Sequence, residues 1–277
     1  MMQQSPPLDG VDEPSIDWAG YNDVLQSRAV PERLRERGWQ AIAGQALGVL
    51  LYGSWARREG HHSSDLDLIV LSRQDRPHRR EPQISVSVYS PEQLASATRT
   101  LFGAHLARDG VIVYDPSGSL ASIVAMLEVP QADELLTRVR NSAIALNASA
   151  ADLELYLPGL VQLARYLVRT AIYALALAQG APCFSLPELA TRFEQPELPV
   201  ILSSHASIYP TPALPVFEDL VRRLENLVGP LPANPYGSLQ ALIVALWATE
   251  PDIATLATLT LGTDDSLPYS ELPKVIL

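Results

Sequence analysis

The sequence predicts an α+β protein in which a small domain built on a mixed sheet precedes an all-helical domain. Between residues 30 and 118, short apolar runs rich in β-branched residues alternate with helical patterns. Beyond Leu120 the strand patterns fade, and prolines or glycines separate one helical segment from the next. We therefore expect an N-terminal extension at residues 1–29, a mixed-sheet domain at 30–118 and a helical domain at 119–277.

Four strands are expected in the first domain. Residues 47–52 and 66–71 are continuous apolar runs typical of buried strands, residues 84–89 alternate strictly, and residues 110–114 form the last strand. Helices are expected over residues 31–46 and from Pro91 to about residue 106. Before residue 29, prolines and acids interrupt any hydrophobic period, so at most one helical turn is expected there.

The second domain is expected to be helical at residues 132–148, 152–180, 185–193, 216–228 and 236–261. Pro158 predicts a break in its second helix. Glu250, Pro251 and Asp252 interrupt the last and most apolar segment, which therefore predicts two buried helices, since a membrane span needs about 20 residues almost free of charge. The longest irregular connection is expected at residues 202–215.

Composition and charge restrict the partners. With 31 acidic and 20 basic side chains the net charge is −11, which opposes binding of long nucleic acid and favours a small substrate, a cationic substrate or another protein. The single cysteine, Cys183, can form neither an internal disulfide nor a thiolate zinc site, so we expect a structural thiol and a reducing cytoplasm. The N-terminal residues lack the pattern of a secretory signal, and the oligomeric state is left open.

A candidate site lies where the first two strands meet. Asp65 and Asp67 are two residues apart at the second strand, and alternation places both carboxylates on the same face. Such a pair is costly unless a cation neutralises it, and hard oxygen ligands favour Mg²⁺, which takes further ligands from water and substrate phosphates. Gly53 and Ser54 follow the first strand, where a glycine allows the backbone to approach a phosphate.

Arg57 and Arg58, expected one turn into the helix that begins at Gly53, are candidates for bidentate contacts to the same phosphates. A strand, Gly-Ser, a helix, about ten residues and then Asp-x-Asp on the next strand resembles the signature of the DNA polymerase β-type nucleotidyltransferases. This superfamily includes the minimal nucleotidyltransferases and the aminoglycoside nucleotidyltransferases. The resemblance covers roughly residues 30–116.

The resemblance implies transfer of a nucleoside monophosphate, with AMP from ATP favoured, to a hydroxyl of a small molecule or protein while pyrophosphate leaves. It also implies two Mg²⁺ ions held by Asp65 and Asp67, with the triphosphate bound near Gly53, Ser54, Arg57 and Arg58. The helical domain would wall one side of the cleft and select the acceptor.

The sequence departs from the family pattern at the third carboxylate, which the family places on the strand after Asp-x-Asp. The equivalent position is Ser85, with Ser87 as the other residue on that face, and a hydroxyl is a weak metal ligand and no base near neutral pH. Three explanations stay open. Glu81 or Asp75 supplies the acid, a glutamate of the helical domain supplies it, or the site binds nucleotide without turnover, as a regulatory or antitoxin-like module would.

Three further groups have two interpretations each. Arg76, Arg79 and Arg80 lie in a basic loop that either is solvated or grips phosphates, and in the second case transfer to a tRNA end is a third function. His61 and His62 are expected to be exposed rather than to touch substrate. The other group, Arg165 and Arg169, shares one face of an apolar helix, where an interface salt bridge, with Glu154 among the candidate partners, is favoured over substrate contact.

Overall fold

The computed structural model describes residues 15–42, 45–74, 76–202 and 214–261. The chain divides into two compact units, the first comprising Met1–Ser96 and Asp109–Met126, the second Ala97–Arg108 and Leu127–Leu277. The first unit carries the sheet, and the described part of the second is helical. The predicted α+β class is therefore confirmed, whereas most of the connection predicted at 202–215 lies outside the described residues.

The first unit contains a five-stranded sheet with the strand order β3-β4-β2-β1-β5. Strands β2 and β4 are parallel and the other neighbouring pairs are antiparallel, so the sheet is mixed, as predicted. Four strands lie where the sequence predicts them. The short edge strand β3 was predicted as loop. The strand bounds are β1 Gly48–Tyr52, β2 Leu66–Leu71, β3 Arg79–Glu81, β4 Ile84–Tyr89 and β5 Val111–Tyr114.

The register defines two faces of the sheet. Tyr52 pairs with Asp67 across β1 and β2, and Asp67 pairs with Ser85 across β2 and β4, so these three side chains share one face. Their neighbours Leu68 and Val86 project to the other face, where they join the hydrophobic core of the first unit. One face is thus apolar, and the other carries the candidate site.

Helices cover both faces of this sheet. α1 and α2 contribute to the apolar core, whereas α4 and α6 pack against the other face. α6 approaches that face at the end of β1 away from Tyr52, where Leu120 lies against Gly48. The bounds are α1 Trp18–Ser27, α2 Glu32–Ile42, α3 Gly53–Ala56, α4 Pro91–Ala95 and α6 Ser119–Ala125. The expectation of at most one helical turn before residue 29 was wrong, because α1 has ten residues and is capped by the Asp17 carboxylate.

The second unit is built around the long helix α8. It deviates from helical geometry at Tyr156, two residues before Pro158, so the predicted break is confirmed. The predicted helix from Pro91 to residue 106 is instead two helices, α4 and α5. The bounds are α5 Leu101–Asp109, α7 Ala132–Ser142, a 3-10 helix Ala143–Leu146, α8 Ala150–Ala178, α9 Leu186–Arg192, α10 Leu198–Leu202, α11 Leu214–Val228, α12 Leu239–Leu246 and α13 Pro251–Thr260.

Within the described residues, α8 alone is long and apolar enough to cross a membrane by length and composition. However, 78% of its most apolar window is buried inside the protein, which is typical of a core helix. The most apolar C-terminal segment forms α12 and α13, separated at Glu250 and Pro251 as predicted. Cys183 is a buried free thiol, as expected.

Close contacts join α8 to α13 and α11 to the residue that precedes α10. A Cβ atom on Gly159 of α8 would lie 2.2 Å from the carbonyl oxygen of Thr260 in α13, so the two backbones are in direct contact there. In α11, the Arg223 guanidinium donates to Asp219 at 2.7 Å and to Glu197 at 2.9 Å. The first contact fixes α8 against α13, and the bond to Glu197 ties α11 to the chain just before α10.

Candidate functional site

The two aspartates lie at the beginning of β2. Asp65 immediately precedes the strand and Asp67 is its second residue. Both are half-buried, whereas Leu66 and Leu68 between and after them are fully buried. This alternation is that of an extended chain with the leucines in the core and both aspartates on the opposite face.

Gly53 lies directly against the Asp67 carboxylate. β1 ends at Tyr52, the pairing partner of Asp67, and the chain turns there with a φ of +76° at Gly53. A Cβ atom at this position would lie 2.5 Å from Oδ2 of Asp67, closer than any Cβ atom can approach. The glycine therefore suits both the left-handed backbone and the position at which the carboxylate lies.

The helix predicted at Gly53 is a single turn, α3, which ends at Ala56. Ser54 is half-buried in this turn, beside Gly53. The predicted phosphate contacts Arg57 and Arg58 lie beyond the end of the turn. Arg58 is exposed with a φ of +62°, which the sequence pattern did not indicate.

Arg57 has acidic partners within the first unit. Its Nε donates to Glu59 at 2.8 Å, and its Nη1 lies 3.6 Å from Oδ2 of Asp109. The side chains of Arg57 and Asp109 are only 16% and 8% exposed. Sequence reasoning missed Asp109 because it lies more than fifty positions along the chain, and no local pattern connects it to Arg57.

Hydrogen bonds hold the loop that leads into Asp65. The His61 N–H donates to the Ser64 hydroxyl at 3.0 Å, and the Ser64 N–H returns to the His61 carbonyl at 2.9 Å. The Gln83 side chain donates to the His62 carbonyl at 2.7 Å. Both histidine side chains are exposed, as expected, and the loop sets the position at which β2 begins.

Ser85 lies opposite Asp67, at the position where the resemblance predicts a third carboxylate. Ser85 and Ser87 are buried, and both form side-chain hydrogen bonds with the Tyr52 hydroxyl. Ser87 also bonds to Tyr89. Burial, followed by the negative charge of Asp67, raises the pKa of Tyr52 well above its usual value, so its hydroxyl stays protonated.

Tyr52 is a second residue at the site, besides Asp109, that sequence reasoning missed. Its position as the last residue of β1 was visible in the sequence, but its pairing with Asp67 required the strand register. Once the register is known, Tyr52, Asp67 and Ser85 follow as a row across three strands.

Of the two upstream candidates for the third carboxylate, Glu81 and Asp75, the structure describes Glu81. Glu81 in β3 pairs with Ile84, whose side chain is on the apolar face, and Glu81 accepts a hydrogen bond from Arg37 of α2 at 3.2 Å. Glu81 therefore belongs to the face opposite Asp67. The other candidate, Asp75, lies outside the described residues. In the described ranges, no group of three or more His, Cys, Asp or Glu side chains is arranged to hold a metal ion.

The donor set at Asp65 and Asp67 fits a hard divalent cation. Both groups are carboxylates on one face, and both retain access to solvent. The Asp67 carboxylate packs directly against the Gly53 backbone, in the space that a Cβ atom would otherwise fill. Two protein carboxylates suit Mg²⁺, which commonly completes its coordination with water and substrate phosphates.

The basic segment before β4 is partly a strand. Arg79 and Arg80 are exposed residues of β3, and Arg76 donates to the Gln45 carbonyl at 3.0 Å. In the second unit, Arg165 and Arg169 are half-buried on α8, whereas Glu154 is exposed.

No protein-family model matches the chain, and no curated protein matches it.

Proposed function

We propose that the chain is a Mg²⁺-dependent nucleotidyltransferase, with a nucleotidyltransferase-type fold in its first unit, that binds a nucleoside triphosphate at the beginning of β2. The nucleoside monophosphate, with AMP favoured, is transferred to a hydroxyl group of a small molecule or protein. The observation that carries the proposal is the contact between the Gly53 backbone and the Asp67 carboxylate, beside Asp65. It combines a turn that can approach phosphate with a pair of carboxylates that can hold a cation.

Each residue has a defined part in this proposal. Asp65 and Asp67 would hold Mg²⁺, which supplies Lewis-acid stabilisation of the phosphoryl oxygens when it is bound. Gly53 lets the backbone come close to the triphosphate, and Ser54 offers a hydroxyl donor. Arg57 holds Glu59 and Asp109, so within the first unit its evident contribution is to position the turn after α3.

A second candidate is a site that binds nucleotide without transferring it. The observation that favours it is Ser85 opposite Asp67, with its hydroxyl bonded to Tyr52 and with Glu81 on the other face of the sheet. A serine hydroxyl cannot accept a proton from the acceptor near neutral pH. Both candidates require the same nucleotide site, and they differ in turnover.

Titration calorimetry with Mn²⁺ and a non-hydrolysable ATP analogue tests the shared site. In Asp65→Asn and Asp67→Asn we expect affinity to fall by at least about tenfold, because even outer-shell partners of metal sites contribute 10–100-fold. Asp23→Asn, in the exposed part of α1, is the matched control and should bind as the wild type does. Binding that is absent in the wild type, or unchanged in both site variants, contradicts the proposal.

Turnover is measured separately. ATP labelled at the α-phosphate is incubated with the protein, Mg²⁺ and fractions of a cell extract. Labelled product that disappears in Asp67→Asn supports transfer. If the protein binds nucleotide tightly but no fraction yields labelled product, the second candidate function, nucleotide binding without transfer, is the correct one.

A further inference from the structure

The Tyr52 side chain crosses the middle of three neighbouring strands. β1 and β4 flank β2, and neighbouring strands are about 4.8 Å apart, so roughly 10 Å separates the backbones of β1 and β4. Tyr52 belongs to β1, yet its hydroxyl bonds to Ser85 and Ser87 of β4. Its ring must therefore span β2 on the face that carries Asp67.

This arrangement fills the space on the β4 side of Asp67. Ser85 is the residue of β4 directly opposite Asp67, and its buried hydroxyl is engaged with Tyr52. A cation placed between Asp67 and β4 would have to displace the phenol and break its hydrogen bonds. It would gain only neutral hydroxyls, which are much weaker ligands than carboxylates.

The side of Asp67 toward Gly53 and Asp65 is different. There the Asp67 carboxylate lies against the Gly53 backbone, and a second carboxylate, that of Asp65, is two residues away along the chain. A cation on this side has two anionic ligands, whereas a cation on the β4 side has Asp67 alone.

We propose that Tyr52, held by Ser85 and Ser87, closes the β4 side of Asp67, so that the nucleotide site holds one divalent cation instead of two. This inference rests on the proposed function, since it requires a metal–nucleotide site at Asp65 and Asp67. It assigns Tyr52 a positioning role and replaces the expectation of two ions that the family resemblance implies.

The test counts bound ions. Free Mn²⁺ is measured by electron paramagnetic resonance while the full chain is titrated in the presence of a saturating non-hydrolysable ATP analogue. We expect one Mn²⁺ per chain in the wild type. We also expect one in Ser85→Asp, because the tyrosine still fills the space, and two in the double variant Tyr52→Ala with Ser85→Asp. Ser122→Asp adds the same charge at an exposed position of α6 and should leave the count at one.

The outcomes separate the two proposals. Two ions in the wild type, or two in Ser85→Asp alone, overturn the role of Tyr52 and leave the proposed nucleotide site intact. No binding of Mn²⁺ and nucleotide by the wild type overturns the proposed function itself. Circular dichroism establishes that each variant is folded, and if the double variant does not fold, the wild-type count decides.

Discussion

Replacing Gly53 by alanine perturbs the contact on which the candidate site depends. The new Cβ atom would lie 2.5 Å from Oδ2 of Asp67, where Cβ contacts under about 3 Å essentially never occur. One of the two groups has to move. The carboxylate is the end of a rotatable side chain, so we expect Asp67 to turn away while the strand pairing persists.

The expected loss has two parts. An L-residue at the φ of +76° costs about 1–2 kcal/mol of folding stability. Displacement of the carboxylate should weaken Mn²⁺–nucleotide binding by about 10–100-fold, the range for residues that support metal ligands. At about 1.4 kcal/mol for each factor of ten, this is roughly 1.4–2.8 kcal/mol of binding free energy.

Gly118→Ala is the matched control for backbone strain. Gly118 belongs to the same unit and has a φ of +71°, but nothing lies within 4 Å of a Cβ atom placed there. The two variants should lose similar stability in urea unfolding, and only Gly53→Ala should lose affinity in the Mn²⁺–nucleotide titration. If Gly53→Ala binds as tightly as Gly118→Ala, the Asp67 carboxylate is not the group that holds the cation.

Two predictions concern the second unit. Gly159→Ala should lower the midpoint of urea unfolding, although alanine has the better helix propensity. The new Cβ atom would lie 2.2 Å from the Thr260 carbonyl oxygen, and overpacking of this kind costs about 1–3 kcal/mol of stability. An unchanged midpoint would show that α13 can shift freely. The second concerns pH. Partial burial tends to raise the pKa of Asp219, but its hydrogen bonds and ion pairs with Arg223 and, to a smaller extent, with Arg222 outweigh this and hold the pKa below 3.8. A carboxyl group whose pKa is lowered by folding contributes stability that is present above pH 3.8 and is lost as the pH falls through the pKa of the folded state. The urea midpoint of the wild type should therefore fall more steeply in this acidic range than that of Arg223→Gln. Parallel curves for the two proteins would contradict the contribution of Arg223.

Hydrophobic period was sufficient for elements with an uninterrupted apolar pattern, but it missed α1. β2 and β4 have the predicted bounds, and α12 and α13 separate where Pro251 and its acidic neighbours interrupt the apolar pattern. β3 was missed because three charged residues carry no apolar period, and this strand exists only because β4 offers it a pairing edge. Short strands made by tertiary pairing cannot be found from local pattern alone.

The site was only partly predictable for the same reason. The spacing of Gly53, Asp65 and Asp67 is local enough to read from the sequence. The contacts of Arg57 with Asp109 and of Tyr52 with Ser85 depend on how distant strands and loops are registered. Hydrophobic periodicity predicts which residues share a face of one strand, but it does not predict which residue of a neighbouring strand lies beside them.

The exposed strand β3 has a consequence for solubility. It is the outermost strand on one side of the sheet, and an outer strand offers unpaired backbone groups to any extended chain that approaches. Its three residues, Arg79, Arg80 and Glu81, are all charged and exposed, and the strand is very short. A second molecule adding its own strand there would have to bring its chain against these charges, so short length and charge both disfavour edge-to-edge pairing at β3.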